Sequence, residues 1–437
     1  MLITCPDRPV LGFMLRECYD FSNSSREQDV DIAERFEWTQ KISAVFTPSA
    51  PIDQKALFSG RIEQFSEVLT AVSQRGQHVI VFGERGVGKT SLATVISRVF
   101  GGKATNRLSS GTINCDPTTT FSSLWHKVFR EVPVPNPAPG GGLIAAESKI
   151  GSANLAQFLP DVVTPDDVRH LLQRMPRIVI VIDELDRIQD RETTTLLADT
   201  IKNLSDHAVE STLILVGVAD SVDSLITEHQ SVERALVQVR MPRMDVTEIS
   251  EIIDKGLSTL GMTMDEIARE KIAVLSQGLP HYTHLLCLNA LLSAVDRGSK
   301  HAETIDVTSA IEKAHKGAQL SIINAYHKAT TSSRENLYPQ VLLACALANR
   351  DSLNYFAAAD VRDPMSRIMR RSYDIPAYSQ HLNALCEAAR GPILQRTGTT
   401  RKFRFRFVNP LMQPYVVMEG VKKGYIKEED LIAVNAR

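Results

Sequence analysis

The chain has 437 residues, 43% of them hydrophobic, with a formal net charge of −2 and a pI near 6.6. This length and apolar content allow two or three domains with buried cores and exclude a disordered chain, and the charge excludes a globally basic nucleic-acid coat while leaving room for a local basic face. The scattered cysteines (Cys5, Cys18, Cys115, Cys287, Cys345, Cys386) have no C-x-x-C spacing and suggest neither a zinc site nor a disulfide framework; with no membrane-length apolar run and no signal-peptide pattern, a cytoplasmic protein without a membrane partner is expected.

Residues 1–50 are polar, lack a long periodicity, and read as an N-terminal extension with one short helix over 32–47. From there the spacing predicts a helix over 61–75, a buried strand over 78–82 and a helix over 89–99. A strand over 112–116 and an amphipathic helix over 119–131 continue the alternation of a parallel α/β sheet. Residues 133–142, with Pro133, Pro135, Pro137, Pro139 and consecutive glycines, interrupt it as a surface insertion. The sheet resumes with apolar runs at 177–182 and 212–218, separated by a helix over 191–204.

Between strand and helix, residues 83–90 read Gly-Glu-Arg-Gly-Val-Gly-Lys-Thr. Gly83, Gly86 and Gly88 allow the backbone of Glu84, Arg85 and Val87 to curl around phosphates at the positive end of the helix that Lys89, Thr90 and Ser91 begin. Lys89 would neutralise the β/γ-phosphates and Thr90 ligate Mg²⁺. The run 178–182 ends at Asp183-Glu184, a pair that would hold the metal through water (Asp183) and polarise the attacking water (Glu184). The cofactors expected are therefore ATP/ADP and Mg²⁺, and the activity a slow ATPase. Asp186 fits either helix capping or support of the site, and Asp220, after the strand at 212–218, fits either a γ-phosphate sensor or a helix N-cap.

In order, these pieces resemble AAA+ ATPases of the origin-recognition and replication-initiator clade and their signalling relatives, the STAND ATPases. The resemblance starts at Phe58-Ser59-Gly60-Arg61, similar to a Gly-Arg element near the adenine, and runs through Asn114-Cys115-Asp116, Asp183-Glu184 and Ser231-Val232-Glu233-Arg234. It implies an arginine finger at Arg234, with Arg240 and Arg243 behind it, although a plain surface arginine also fits. Gly278-Leu279-Pro280 looks like the Gly-x-Pro element packed beside the nucleotide; where initiators carry a sensor arginine, this sequence has His281 and His284, which fit either phosphate contact or packing.

After residue 244 the strands are expected to stop, giving a P-loop core over 51–244 and an all-helical lid over 245–330. Helices over 338–347, 356–371 and 378–389, then a strand at 393–395, a turn at 398–400 and alternating Phe403, Phe405 and Phe407, predict a winged helix over 334–420 and a tail over 421–437. Residues 334–406 hold twelve Lys/Arg against six Asp/Glu. Arg367, Arg370 and Arg371, with Arg401, Lys402, Arg404 and Arg406, make duplex DNA one candidate partner; a protein-docking role is the other. Two functions result: a DNA-binding switch that recruits or loads partners, or a signalling or defence ATPase that self-associates on nucleotide exchange and controls a separate effector.

Overall fold

The computed structural model describes residues 21–48, 60–101, 109–131, 155–175, 177–222, 225–226, 232–332, 336–399 and 402–427. The predicted insertion at 133–142, Phe58, Ser59, Ser231 and Arg401 lie outside the described residues, as does most of the expected tail.

Helix α1 (Phe21–Val45) extends well before the predicted 32–47. Its end is no detached extension, because Ile42, Val45 and Phe46 are buried and α1 packs on two helices of the lid. Phe46 fills the space left by Gly256, where an added Cβ would stand 2.1 Å from the ring.

The core then follows as α2 (Ile62–Ser73), β1 (His78–Gly83), α3 (Lys89–Gly101), β2 (Ser109–Asn114), α4 (Phe121–Glu131), α5 (Pro165–Leu172), β3 (Ile178–Asp183), α6 (Arg191–Asp206), β4 (Thr212–Val218) and β5 (Leu236–Arg240). The five strands are parallel in the order β2-β3-β4-β1-β5. Burial on both faces explains why the central strands β1, β3 and β4 are almost wholly apolar, since alternate residues enter opposite cores. Val79, Val81, Val179, Val181, Ile214 and Val216 enter one core with α2 and α3. Ile80, Phe82, Ile180, Ile182, Leu213 and Leu215 enter the other with α4, α5 and α6. Strand β2 lies earlier than the predicted 112–116; its edge position accepts Ser109, Ser110 and Gly111 against β3.

The lid comprises α7 (Val246–Leu260), β6 (Thr263–Met264), α8 (Glu266–Leu275), α9 (Pro280–Asp296), β7 (His301–Ala302), α10 (Thr304–Lys316) and α11 (Leu320–Thr330). Asp245 and Glu248 form a capping box that starts α7. The lid is not wholly helical, since β6 and β7 form a short parallel pair.

The C-terminal unit runs α12 (Tyr338–Ala346), β8 (Phe356–Ala357), α13 (Arg362–Met369), α14 (Ile375–Ala384), β9 (Leu394–Thr397), β10 (Arg404–Phe407) and α15 (Met412–Lys422). The helix predicted over 356–371 is divided: Phe356 and Ala357 pair with β10, where Phe356 stacks on Phe405. Pro364 explains the later start of α13, because proline is tolerated only in a helix's first turn. The sheet is antiparallel in the order β8-β10-β9. Helix α15, which the sequence pattern did not reveal, is buried from Met412 to Gly420. One continuous apolar cluster joins α1, a face of the core sheet, the lid and this unit.

Candidate active site

Strand β1 delivers Gly83 to the C-terminal edge of the sheet, where a Cβ would stand 2.3 Å from the carbonyl oxygen of Met241. Only glycine permits that approach. Gly88 adopts φ 95°, again a glycine conformation, and its carbonyl accepts the Leu92 N–H as α3 begins. Between them, Lys89 is 7% exposed and its ammonium donates to the carbonyls of Gly83 (3.0 Å) and Glu84 (2.7 Å). Burial lowers the Lys89 pKa to about 8, against the opposing charges of Asp186, Asp183 and Glu84.

Strand β3 brings Asp183 beside this loop. Its carboxylate accepts the Glu184 N–H at 2.7 Å and hydrogen-bonds the Thr90 side chain; burial raises its pKa against both. The Thr90 hydroxyl and Asp183 carboxylate thus make a pair of hard oxygen donors. They fit Mg²⁺, which takes few protein ligands and completes its shell with water and phosphate. Among the described residues no group of three or more His, Cys, Asp or Glu forms a metal cage, so such an ion would depend on the nucleotide's own oxygens.

Glu184 has a left-handed backbone, φ 57°, and its carboxylate pairs with Arg187 at 3.0 Å. Asp186 turns out to bind the sheet: it accepts the Val218 N–H at 2.7 Å, tying the ends of β3 and β4 at the cavity wall.

Together these groups line a cavity of about 820 Å³. Arg85, Gly86, Gly88, Lys89, Thr90 and Ser91 form its loop side, and Asp183, Glu184, Asp186 and Arg187 its acidic end. Pro280 and His281 line it from the lid, with His284 and Gln319 beside them.

Several expected site residues stand behind this cavity. Arg61 is 1% exposed and donates to the carbonyls of Val87 (3.4 Å) and Pro242 (2.5 Å), so its guanidinium braces the loop from the rear. Gly60 packs on Glu248 and donates to Glu251 at 3.2 Å. Val87 is buried, and the Glu84 carboxylate turns away to Arg243 at 2.7 Å. Asp220, weighed as a phosphate sensor, is instead ion-paired with Arg406 and is absent from the cavity lining.

The lid histidines hold the N-terminal arm. His281 Nδ1 donates to the Pro48 carbonyl at 2.7 Å, while His284 Nδ1 accepts the Thr47 N–H at 3.2 Å. Burial lowers both, His284 to about 4, and so keeps both rings neutral near pH 7. Thr47, Pro48 and Leu411 also line the cavity; no local motif marks them, because they arrive from distant parts of the chain.

Arg234 is exposed and precedes β5 at the end that pairs with His78, opposite Gly83. It therefore lies away from its own chain's cavity, and a phosphate contact by Arg234 requires a second subunit. In the C-terminal unit, Arg404 pairs with Asp351, Arg371 with the Tyr373 hydroxyl, and Arg396 with Asn383 at 2.7 Å. Arg367 and Arg370 sit at the end of α13, on and beyond its last turn. The following helix, α14, contains no Lys or Arg.

A parallel sheet ending in a glycine-rich loop, with a buried lysine, a threonine and an Asp-Glu strand end around one cavity, defines a P-loop NTPase core followed by a mostly helical lid. The profile of the family Novel STAND NTPase 1 matches residues 50–288, more than half of the 437, and the chain belongs to that family. No curated protein matches it. Among solved structures, Cdc6p from Pyrobaculum aerophilum is 16% identical, with 88% of this chain and 99% of that one covered at a TM-score of 0.46. The Aeropyrum pernix ORC2 protein, solved as ADPNP–ADP complexes, gives 14%, 90%, 96% and 0.47. The ORC1 protein of the same organism, solved in complex with DNA, gives 13%, 87%, 96% and 0.46. Each is a distant likeness, and none assigns a ligand to this chain. No helix among the described residues is long and apolar enough to cross a membrane.

Proposed function

We propose that this protein is an ATP-driven switch that hydrolyses ATP slowly and whose nucleotide state governs the seating of its C-terminal unit, which when released self-associates or engages a separate effector. Lys89 and the loop N–H groups would hold the phosphates, Thr90 and Asp183 would hold Mg²⁺, and the ion would supply charge neutralisation at the transferring phosphoryl group. Glu184 would accept the proton of the attacking water as its oxygen bonds to the γ-phosphorus. The bridging oxygen then leaves with its bonding pair on ADP.

The observation that carries this reading is the seat of the C-terminal unit on the phosphate loop itself. Leu411 lies 3.1 Å from the point where Gly86 would carry a Cβ. Arg243, bound to Glu84 of the loop, also donates to Gln413 at 2.7 Å and to the Gln277 carbonyl of the lid at 3.2 Å. Tyr282 of the lid donates to the Leu411 carbonyl at 2.8 Å. Gln413 is 1% exposed, so separation would leave a buried polar network unpaired unless water entered. A loop that changes partners on binding phosphate is thus in direct contact with what it would control.

A Leu411→Asp, Gln413→Ala double variant should loosen this seat. X-ray scattering is expected to show a larger radius of gyration than wild type with ADP bound, approaching that of the wild type with a non-hydrolysable ATP analogue. Identical wild-type profiles in the two nucleotide states would rule out the switch.

Duplex DNA is the second reading, favoured by exposed Arg367, Arg370 and Lys402, which carry none of the ion pairs that engage Arg404 and Arg406. If these three contact phosphates, their triple alanine variant should flatten the salt dependence of DNA binding by about 0.9 per lost contact. Fluorescence anisotropy at several salt concentrations measures this, and an unchanged slope rejects the DNA role.

A further inference from the structure

The carboxylates of the cavity differ in how firmly they are committed. Asp183 is bound by the Glu184 N–H and the Thr90 side chain, and Asp186 by the Val218 N–H. Glu184 instead holds Arg187, through one contact at 3.0 Å between side chains that are 46% and 48% exposed. A half-exposed ion pair of this kind is weak and easily exchanged. Both partners line the nucleotide cavity, next to Asp183 and Asp186.

The cations of the cavity are equally distinct. Lys89 is buried in the loop, and Arg85 stands near enough to Lys89 and His281 to oppose their charges. The lid contributes Pro280, His281, His284 and Gln319, with no lysine or arginine, and both histidines are engaged by the N-terminal arm. Arg187 is therefore the lining cation held at the catalytic carboxylate.

We propose that Arg187 is the γ-phosphate sensor of this site and the gate on Glu184. With a diphosphate bound, Arg187 stays on Glu184 and occupies the carboxylate. A γ-phosphate offers the guanidinium a multiply charged, bidentate acceptor, a stronger partner than one half-exposed carboxylate. Transfer of Arg187 to it neutralises the phosphoryl oxygens and frees Glu184 to take the water proton. The left-handed turn at Glu184 fixes where this exchange occurs, because the intervening 3-10 turn over Leu185–Arg187 places the guanidinium beside the carboxylate. The inference rests on the ATP-switch reading and adds the discrimination between triphosphate and diphosphate.

The test measures the affinities of wild type, Arg187→Ala and Arg187→Lys for ADP and for the imido analogue of ATP by calorimetry, with single-turnover hydrolysis of ATP alongside. Arg187→Ala is expected to leave ADP affinity within about twofold, to weaken the ATP analogue by about tenfold, and to slow hydrolysis by at least about tenfold. Arg187→Lys should recover most of the analogue affinity. Equal losses for both nucleotides, an unchanged preference, or faster hydrolysis in Arg187→Ala would overturn the sensor. Failure of the wild type to bind either nucleotide would instead strike the ATP-switch reading on which it rests.

Discussion

Lys89→Ala is expected to weaken nucleotide binding by roughly 10²–10⁴-fold, because charge-assisted hydrogen bonds contribute about 1.5–3 kcal/mol each and every ~1.4 kcal/mol is tenfold. The substitution also removes the ammonium's hydrogen bonds to the Gly83 and Glu84 carbonyls, which water entering the open cavity can replace. Folding should persist while binding is lost, and calorimetry with circular dichroism on the same sample checks both. The pH dependence follows from the same burial. The lysine's pKa is lowered to about 8, and phosphate charge would raise it again on binding. Binding then takes up a proton above pH 8, and wild-type affinity should be greatest below that pH and fall as pH rises through it. A flat profile between pH 7 and 9.5 would show that Lys89 does not carry the phosphate charge.

Glu184→Gln should separate binding from chemistry. Glutamine keeps the shape and loses the basicity, so nucleotide affinity is expected to stay within a few-fold while hydrolysis slows by about 10²–10⁴-fold, the usual contribution of a general base. Loss of the half-exposed pair with Arg187 costs little stability, which makes the reduced rate interpretable. Release of labelled phosphate in a single turnover provides the measurement. Normal hydrolysis in this variant would remove Glu184 from the base role and require another acceptor for the water proton.

The difference between these variants and those aimed at the C-terminal seat lies in what each disturbs. Lys89 and Glu184 belong to one strand-loop-helix and one strand end. Leu411 and Gln413 reach the same loop from over three hundred positions further along the chain. A change at the seat should therefore alter shape and nucleotide retention, whereas a change at Lys89 removes the ligand that the seat responds to.

The parts of the molecule with local causes were legible along the chain. Apolar runs announced β1, β3 and β4, and the residues 83–90 announced the loop between β1 and α3, because glycine conformations, strand periodicity and the Asp-Glu strand end are local signals. Which side chains line the cavity depended on contacts between distant parts of the chain. Arg61 looked like a ligand by position, yet its guanidinium donates to carbonyls behind the loop, and the side chain of Glu84, a residue expected to offer its backbone, pairs with Arg243. His281 is engaged by Pro48, and Asp220 by Arg406. Helix α15 escaped detection for a related reason: enclosed along most of its length, it shows no polar face and hence no helical stripe in Met412–Lys422. Phe46, Leu411 and Gln413 carry no motif at all. Their partners are set by chain return and burial, where an unpaired polar atom or an empty space costs free energy that no short stretch of sequence records.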